Sequence, residues 1–276
     1  MSEGTARVAE TGEDVGERPM LSALVVARNE AAQLADCLET LRFADETVVV
    51  LDRSTDTSAE IARRYGAVIL EGAWEREGPR RNEGIAGCRG RWILEVDADE
   101  RVPPALAAEI RTAIAGLDDG YFLVPLVNHI GGRPIRHGWG AYNGVAAKAS
   151  LFHAGAKEWG EGRVHPRITL RGPRRQLTAA LDHFVDRDLT DMFGRLNRYT
   201  ELAALYAIDA GQRPRLGTAL RRIWSRGWKS YVARKGYREG PYGIALALFS
   251  ALYSLLIYLK VATRADPAGA PDKGLR

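Results

Sequence analysis

Short apolar, β-branched runs alternate with stretches of helical spacing through the first hundred residues. Met20–Ala27 (MLSALVVA) predicts a buried strand. The polar triplet Arg28-Asn29-Glu30 breaks it, and Leu34, Leu38 and Leu41 then recur at helical intervals across Ala31–Arg42. Glu46–Leu51 predicts a second strand that ends at Asp52. Ser54-Thr55-Asp56 supplies turn and N-cap chemistry for a helix around Thr57–Tyr65, with Gly66 as its C-cap. A third, shorter strand follows at Ala67–Leu70, then a helix over Gly78–Arg89 that Gly90 stops, then a fourth strand at Trp92–Val96. This alternation reads as βαβ units, and so as an α/β fold on a mostly parallel sheet flanked by helices. In such sheets ligands sit beyond the carboxyl ends of the strands. The polar clusters Arg28-Asn29-Glu30, Asp52-Arg53-Ser54 and Asp97-Ala98-Asp99 all fall at those ends.

From about Gly120 the pattern changes. Gly120–Asn128 is strand-like, a Gly-rich aromatic segment covers Gly131–Gly144, and short strands follow near Val145–Leu151 and Ile168–Leu170. Asp188–Ala210 predicts a long helix with Leu189, Met192, Phe193, Leu196, Tyr199 and Leu202 along one side. Ile244–Leu259 is a run of sixteen residues without a charge, closed by Lys260. That is short of the roughly twenty apolar residues a spanning helix needs. Met1–Arg18, mixed in charge and Gly-rich, reads as a disordered lead-in rather than a signal peptide, and Ala265–Arg276 reads as a disordered tail.

A chain of 276 residues can bury a sizeable core, and its 46% hydrophobic and 27% charged content fits an ordinary globular class. Cys37 and Cys88 stand far apart, so no disulfide framework is implied and a reducing compartment is the default. The net charge of +4 hides an asymmetry: nine Lys or Arg and no acidic residue lie between Gln212 and Arg238. Trp224, Trp228, Tyr231 and Tyr237 are interleaved with them. That mixture suits anionic lipid headgroups. Nucleic acid is not expected, because nothing else resembles an RNA or DNA module. The alternative is a helix packed on the rest of the chain or across a homodimer.

The segment Ile93–Glu100 (ILEVDADE) ends an apolar run in three carboxylates. Like-charge repulsion makes such a cluster costly unless a cation is present. Asp97 and Asp99 are two apart, so an extended backbone projects them on one side. The pair suits a hard divalent cation, with diphosphate oxygens and water as its other ligands. An acidic surface turn is the plain alternative.

The series ALVVARNE, ADETVVVLDRSTDTSAEIARRYGA and GPRRNEGIAGCRGRWILEVDADE resembles the family 2 glycosyltransferases. In particular it resembles the branch that includes lipopolysaccharide core β-glucosyltransferases. The match covers Leu21–Pro104 and continues more weakly through HGWGAYN, EGRVHPRI and LDHF. The resemblance implies a GT-A fold, a nucleotide-sugar donor with UDP expected, a divalent metal (Mn²⁺ or Mg²⁺) and inversion at the anomeric carbon. It implies that Ala27, Arg28, Asn29, Glu30 and Asp52 contact the nucleoside. Arg81 and Asn82 would lie near the base or ribose, and Asp97-Ala98-Asp99 would be the DXD motif, its second Asp touching the metal. His183 is the further candidate for metal or diphosphate.

Two positions depart from the pattern. Arg53 stands where similar sequences often carry Gly, as does Thr57 or Ser58, and its side chain is expected in solvent. Val164-His165-Pro166 replaces Val-His-Glu and removes one candidate base. The remaining candidates for the catalytic base are Glu161, then Glu158, then Glu100. Arg136, Arg163 or Arg167 would assist at phosphate. Trp139, Tyr142 and His165 are the acceptor-side candidates, with His137 beside them.

The expected organisation is a lead-in at 1–18, a GT-A domain at 19–186, a basic helical membrane-facing extension at 187–264 and a tail at 265–276. The expected activity moves a hexose to a cell-envelope glycan or lipid-linked acceptor, at the inner face of the cytoplasmic membrane. A sugar-phosphate nucleotidyltransferase and a non-catalytic membrane adaptor are the competing readings. The first would want a Gly-rich loop bearing Lys or Arg where this chain has ARNEA.

Overall fold

The computed structural model describes residues 18–139, 146–162 and 166–264. Tyr142, Arg163, His165, the lead-in before Arg18 and the tail from 265 lie outside the described residues.

The first half follows the alternation read from the sequence. Its elements are β1 (Leu21–Ala27), α1 (Ala31–Thr40), β2 (Glu46–Asp52), α2 (Ser58–Arg64), β3 (Val68–Gly72), α3 (Glu77–Gly87) and β4 (Trp92–Asp97). The four strands are parallel in the order β3-β2-β1-β4. Their continuous apolar runs follow from cover on both faces. Ala23, Val25 and Ala27 of β1 join α1 and α2 in one core cluster, while the alternate residues Leu24 and Val26 join Ile85 and Cys88 in another. Gly84 lets α3 approach the sheet: a Cβ there would stand 2.8 Å from Leu24 and Val50 side-chain carbons.

The second half is β5 (Glu100–Arg101), α4 (Pro104–Ile114), β6 (Tyr121–Ile130), β7 (Arg133–Ile135), β8 (Ala147–His153), β9 (Lys157–Trp159), β10 (Ile168–Leu170), β11 (Arg174–Gln176) and β12 (Leu181–Asp186). The sheet continues beyond β4 as β8-β6-β12-β5, with β7 and β11 also on β6. Here the pairing is mixed: β8 runs antiparallel to both β4 and β6, whereas β12 is parallel to β6. β9 and β10 form a separate antiparallel ribbon. The helix α4 was not anticipated, although Leu106, Ile110 and Ile114 recur at helical spacing and are buried, and Pro104 opens the first turn.

A helical layer completes the chain. It consists of α5 (Leu189–Asp209), α6 (Leu216–Trp228), two short helical turns at Lys229–Ala233 and Gly236–Glu239, and α7 (Pro241–Arg264). The Asp188 carboxylate caps α5 by accepting the Asp191 N–H at 2.9 Å. Ile130 and Ile135 at the sheet's edge bury against Met192, Leu246 and Phe249, which fastens the layer to the sheet. The expected apolar side of α5 is only partly buried. Met192 is buried, whereas Leu189, Phe193, Tyr199 and Leu202 are exposed. The buried face instead carries Thr200, Ala204 and Ala207, with Ala204 and Ala207 against Val261. Small residues let α7 come close, which leaves the large ones outside.

Among the described residues, α7 alone is long and apolar enough to cross a membrane, and one third of its most apolar window is buried. Among the described residues, all the exposed large hydrophobic side chains except Val68 and Ile168 lie between Leu189 and Leu259.

Candidate active site

Parallel pairing brings the carboxyl ends of β1, β2 and β4 to one edge. Ala27 stands opposite Leu51, and Val26 opposite Asp97. The turn after β1 is laced to the turn after β2. Asn29, in the left-handed region at φ 55°, accepts the Thr55 N–H on Oδ1 at 2.8 Å. Its own N–H donates to Ser54 Oγ at 3.2 Å, the Glu30 N–H to Ser58 Oγ at 3.2 Å, and the Ala31 N–H to Asp56 Oδ2 at 2.9 Å. Arg28 is exposed beside them. Burial and the neighbouring Asp99 push the Glu30 carboxyl above its ordinary range, against the opposing charge of Arg198 from α5.

Asp52 is buried at the end of β2. Its carboxylate accepts from Arg53 Nε at 2.9 Å, Arg80 at 3.1 Å and the Trp74 N–H at 3.1 Å. Burial alone would raise its pKa, but the bonds from Arg53 and Trp74 and the two guanidinium charges hold it low. Arg53 is exposed, with 42% of its side chain accessible, and is paired as well. Its guanidinium folds back onto Asp52 and the Trp74 carbonyl. Arg53 holds φ 50°, which explains why Gly suits the position in similar sequences.

Asp97 and Asp99 part company. β4 ends at Asp97, and Ala98-Asp99 forms a turn, so the same-side projection of an extended backbone does not reach Asp99. Asp97 accepts from Arg81 on Oδ1 at 3.0 Å and from Lys148 on Oδ2 at 2.9 Å. Burial works against its charge, but these two cations hold its pKa well below the carboxylate range. Asp99 instead turns its Oδ2 toward His183 Nε2 at 3.3 Å. His183 Nδ1 lies 2.8 Å from Asn128 Oδ1, an acceptor in that orientation, so Nδ1 carries a proton and Nε2 faces Asp99. Burial opposes protonation of His183, but the hydrogen bond to Asp99 outweighs it and raises its pKa.

A carboxylate and an imidazole whose far nitrogen is fixed make a donor set that fits a divalent cation. Among the described residues no three His, Cys, Asp or Glu side chains converge into a preformed cage. Two protein ligands would leave the other positions to oxygens of a ligand and water. Each Asp97 oxygen accepts from one cationic side chain, whereas Asp99 faces His183.

A buried charge network underlies this edge. Arg81 reaches Glu77 at 2.8 Å and Glu95 at 2.5 Å besides Asp97, and lies over the Trp159 ring at 4.8 Å. Lys157 Nζ donates to Glu95 at 2.6 Å and to the Ala149 carbonyl at 2.8 Å. Asn82 pairs with the backbone of Trp159 in both directions, at 2.8 and 2.9 Å, so its amide pins the β9 strand to α3. Lys148 and Lys157 were not anticipated. Lys148 carried a signal, since it is the one Lys, Arg, Asp or Glu of β8, whereas Lys157 stands beside Glu158 and carried none.

The three candidate bases separate. Glu100 is buried under Lys148, which contacts it at 2.6 Å, and its carboxylate also accepts the Asp97 N–H at 3.0 Å. Glu158 alternates with Lys157 and Trp159, both of which touch Glu95, so it faces the other way and pairs with exposed Arg171 at 2.8 Å. The structure therefore does not bring Glu158 to the edge. Glu161 is 82% exposed, 3.5 Å from Arg76 at the start of α3.

On the acceptor side, the Trp139 ring carries the guanidinium of Arg234 at 4.4 Å, with Arg226 and Lys229 beyond it. The Trp139 backbone N–H donates to Ser230 Oγ at 3.1 Å. The Trp139 ring is thus occupied by cations of the helical layer. His137 Nδ1 meets buried Glu239 at 2.9 Å.

Residues 22–162 match the family description Glycosyl transferase family 2. The lipopolysaccharide core biosynthesis glycosyltransferase LpsC of Rhizobium meliloti (strain 1021) is 27% identical over 271 residues, which is 90% of this chain and 95% of that one. An uncharacterized glycosyltransferase of Rickettsia felis is 31% identical over 104 residues, and the match spans 37% of each chain. S. aureus TarS 1–349 aligns over 88% of both chains with a TM-score of 0.47 and 14% identity. Glucosyl-3-phosphoglycerate synthase from Mycobacterium tuberculosis, solved with Mn²⁺, UDP and glucosyl-3-phosphoglycerate, aligns over 40% of this chain and 44% of that one, with a TM-score of 0.34 and 19% identity. The chain belongs to glycosyl transferase family 2, on a GT-A fold with a helical C-terminal region, and is a glycosyltransferase rather than a nucleotidyltransferase or a non-catalytic adaptor.

Proposed function

We propose that this glycosyltransferase moves a hexose, with inversion, from a nucleotide-sugar to a cell-envelope glycan or lipid-linked acceptor. The observation that carries the reading is the Asp99–His183 pair on the strand edge where the turns after β1 and β2 meet. Alignment to an enzyme of lipopolysaccharide core biosynthesis along nine-tenths of the chain supports the acceptor class. A UDP-linked donor is the family expectation.

In this reading the catalytic domain is 19–186 and the helical extension 187–264. Ala27, Arg28, Asn29, Glu30 and Asp52 form the nucleoside side. Arg81, Asn82, Asp97 and Ala98 form the floor. Asp99 and His183 would hold Mn²⁺ or Mg²⁺, which supplies neutralising charge to the departing diphosphate. Of the three candidate bases, Glu161 is the one neither buried under a lysine nor turned to the far face, and it takes the acceptor proton. Donor turnover with UDP-, GDP- and dTDP-sugars, each with and without Mn²⁺, tests this in wild type, Asp99→Asn and Glu161→Gln. Metal-dependent turnover lost in Asp99→Asn is expected. Wild-type turnover in that variant would sink the metal assignment, and full activity in Glu161→Gln would sink the base.

The helical layer serves as a peripheral attachment to the anionic inner face of the cytoplasmic membrane. Trp224 is 83% and Trp228 67% exposed, among arginines on α6. Burying such a side chain contributes about 1.5–3 kcal/mol, and each surface-proximal cation about 1 kcal/mol. Flotation with phosphatidylcholine vesicles, with and without phosphatidylglycerol, tests it. The protein is expected to float with the anionic vesicles, and Trp224→Ser/Trp228→Ser to float less. A protein that stays at the bottom of the gradient as a dimer would instead mean that a second copy covers these faces.

A further inference from the structure

We propose that Lys148 is the positioning residue of the Asp97–Asp99 turn: its ammonium ties together the two carboxylates that flank Asp99, and so sets Asp99 against His183. The inference rests on the reading of Asp99 and His183 as the cation's protein ligands.

The pleated ladder places Lys148 there. β8 runs antiparallel to β4 with Trp92 opposite His153 and Leu94 opposite Leu151. The pairing ends at Leu94 and Leu151, and the two strands run on to Asp97 and Lys148. Lys148 Nζ then lies 2.9 Å from Asp97 Oδ2, 2.6 Å from Glu100 Oε1 and 2.7 Å from Glu100 Oε2. Its side chain is 24% exposed, and an ammonium has three donors. With those donors directed at two carboxylates, Lys148 is not a free cation for an incoming phosphate.

The same carboxylate closes the turn from the other end, because Glu100 Oε2 also accepts the Asp97 N–H at 3.0 Å. Glu100 pairs across strands with His183, and the Asp99 carbonyl accepts the Phe184 N–H at 2.8 Å. Asp99 therefore sits between two fixed neighbours, one held by β4 and one by β12, and Lys148 joins them. Partners of this kind around a metal ligand commonly govern affinity by 10–100-fold.

Mn²⁺ binding, followed by the loss of the free-ion electron paramagnetic resonance signal in the presence of UDP, tests the proposal without any turnover. Lys148→Met alone strands buried Glu100 without a cation and invites misfolding. The informative variant is therefore Lys148→Met/Glu100→Gln, which removes both charges, with folding checked by circular dichroism. Wild type is expected to bind Mn²⁺ and Asp99→Asn to lose it. The folded double variant is expected to bind roughly 10–100-fold more weakly, while Lys148→Arg, which keeps the charge, recovers most of the affinity. Wild-type affinity in the folded double variant overturns the role of Lys148 and leaves the Asp99–His183 reading standing. No Mn²⁺ binding in wild type overturns that reading and this proposal together.

Discussion

Replacing Glu239 should loosen the joint between the catalytic sheet and the helical layer, and by an amount the structure sets. Glu239 is 3% exposed. Its Oε1 accepts the Arg136 N–H at 3.0 Å, the His137 N–H at 2.8 Å and His137 Nδ1 at 2.9 Å, and its Oε2 faces Arg133 at 3.4 Å. Hydrogen bonds to a charged acceptor contribute about 1.5–3 kcal/mol each, and truncation leaves the buried donors unpaired. Arg136 is exposed, so water recovers part of its amide's loss. The half-exposed Arg133 adds under about 1 kcal/mol. Glu239→Ala should then cost about 3–4 kcal/mol. Glu239→Gln keeps an oxygen for the two backbone donors and should cost about 1 kcal/mol. Urea unfolding read by circular dichroism measures both. A loss below about 1 kcal/mol in Glu239→Ala, or equal losses in the two variants, would refute the claim that one carboxylate makes the joint.

Other outcomes follow from the same geometry. Arg53 holds φ 50°, and a non-glycine residue there costs roughly 1 kcal/mol; Arg53→Gly should therefore unfold at higher urea than Arg53→Ala, though both lose the bonds to Asp52. Burial raises the Glu46 carboxyl, but the bonds from Ser22, the Arg89 amide and the Arg89 guanidinium outweigh it and lower its pKa. Its stabilisation is thus present above the unfolded pKa of about 4.3 and is lost as pH falls below it. Glu46→Gln should be less stable than wild type at pH 7, with the gap closing in acid; a gap constant across an acid titration of unfolding would contradict this. Gly78→Ala would place a Cβ 1.9 Å from the Gly160 carbonyl, so it should displace the segment that Asn82 pins. Faster limited proteolysis near Gly160, with the rest of the domain intact, is the expected sign.

The fold was legible wherever an element was long enough to show its period and its neighbours were sequential. The run from β1 to β4 met both conditions, and each predicted boundary fell within three residues of the observed one. The second half met them only in places. The sequence reading finds β6, β8 and β10, whereas β7, β9 and β11 are three residues each, too short to display alternation, and β4 pairs with β8 across fifty residues of chain. The helix α4 was legible by the same spacing rule that found α1. The long helix α5 shows a different limit. It is apolar on more than one side, so periodicity predicts the helix but not which stripe faces α7, and the stripe of large residues turned out to be largely the outer one.

The site was legible as a place more than as a set of contacts. Reading Asp97 and Asp99 as one pair assumed that the strand continued past Asp97. Once it stops, the two carboxylates acquire different partners, cations for one and a histidine for the other. Elementary electrostatics would have pointed the same way. Glu95, Asp97 and Glu100 lie within one apolar run, and an ionised carboxylate taken out of water requires an opposite charge. Glu95 and Glu100 are buried and Asp97 is partly so, and together they demand opposite charges close by. Arg81, Lys148 and Lys157 meet that demand, and Lys148 already stands out as the one Lys, Arg, Asp or Glu of β8. Asp99, last to be accounted for, has no place in that balance. For that reason it is the carboxylate left to face His183.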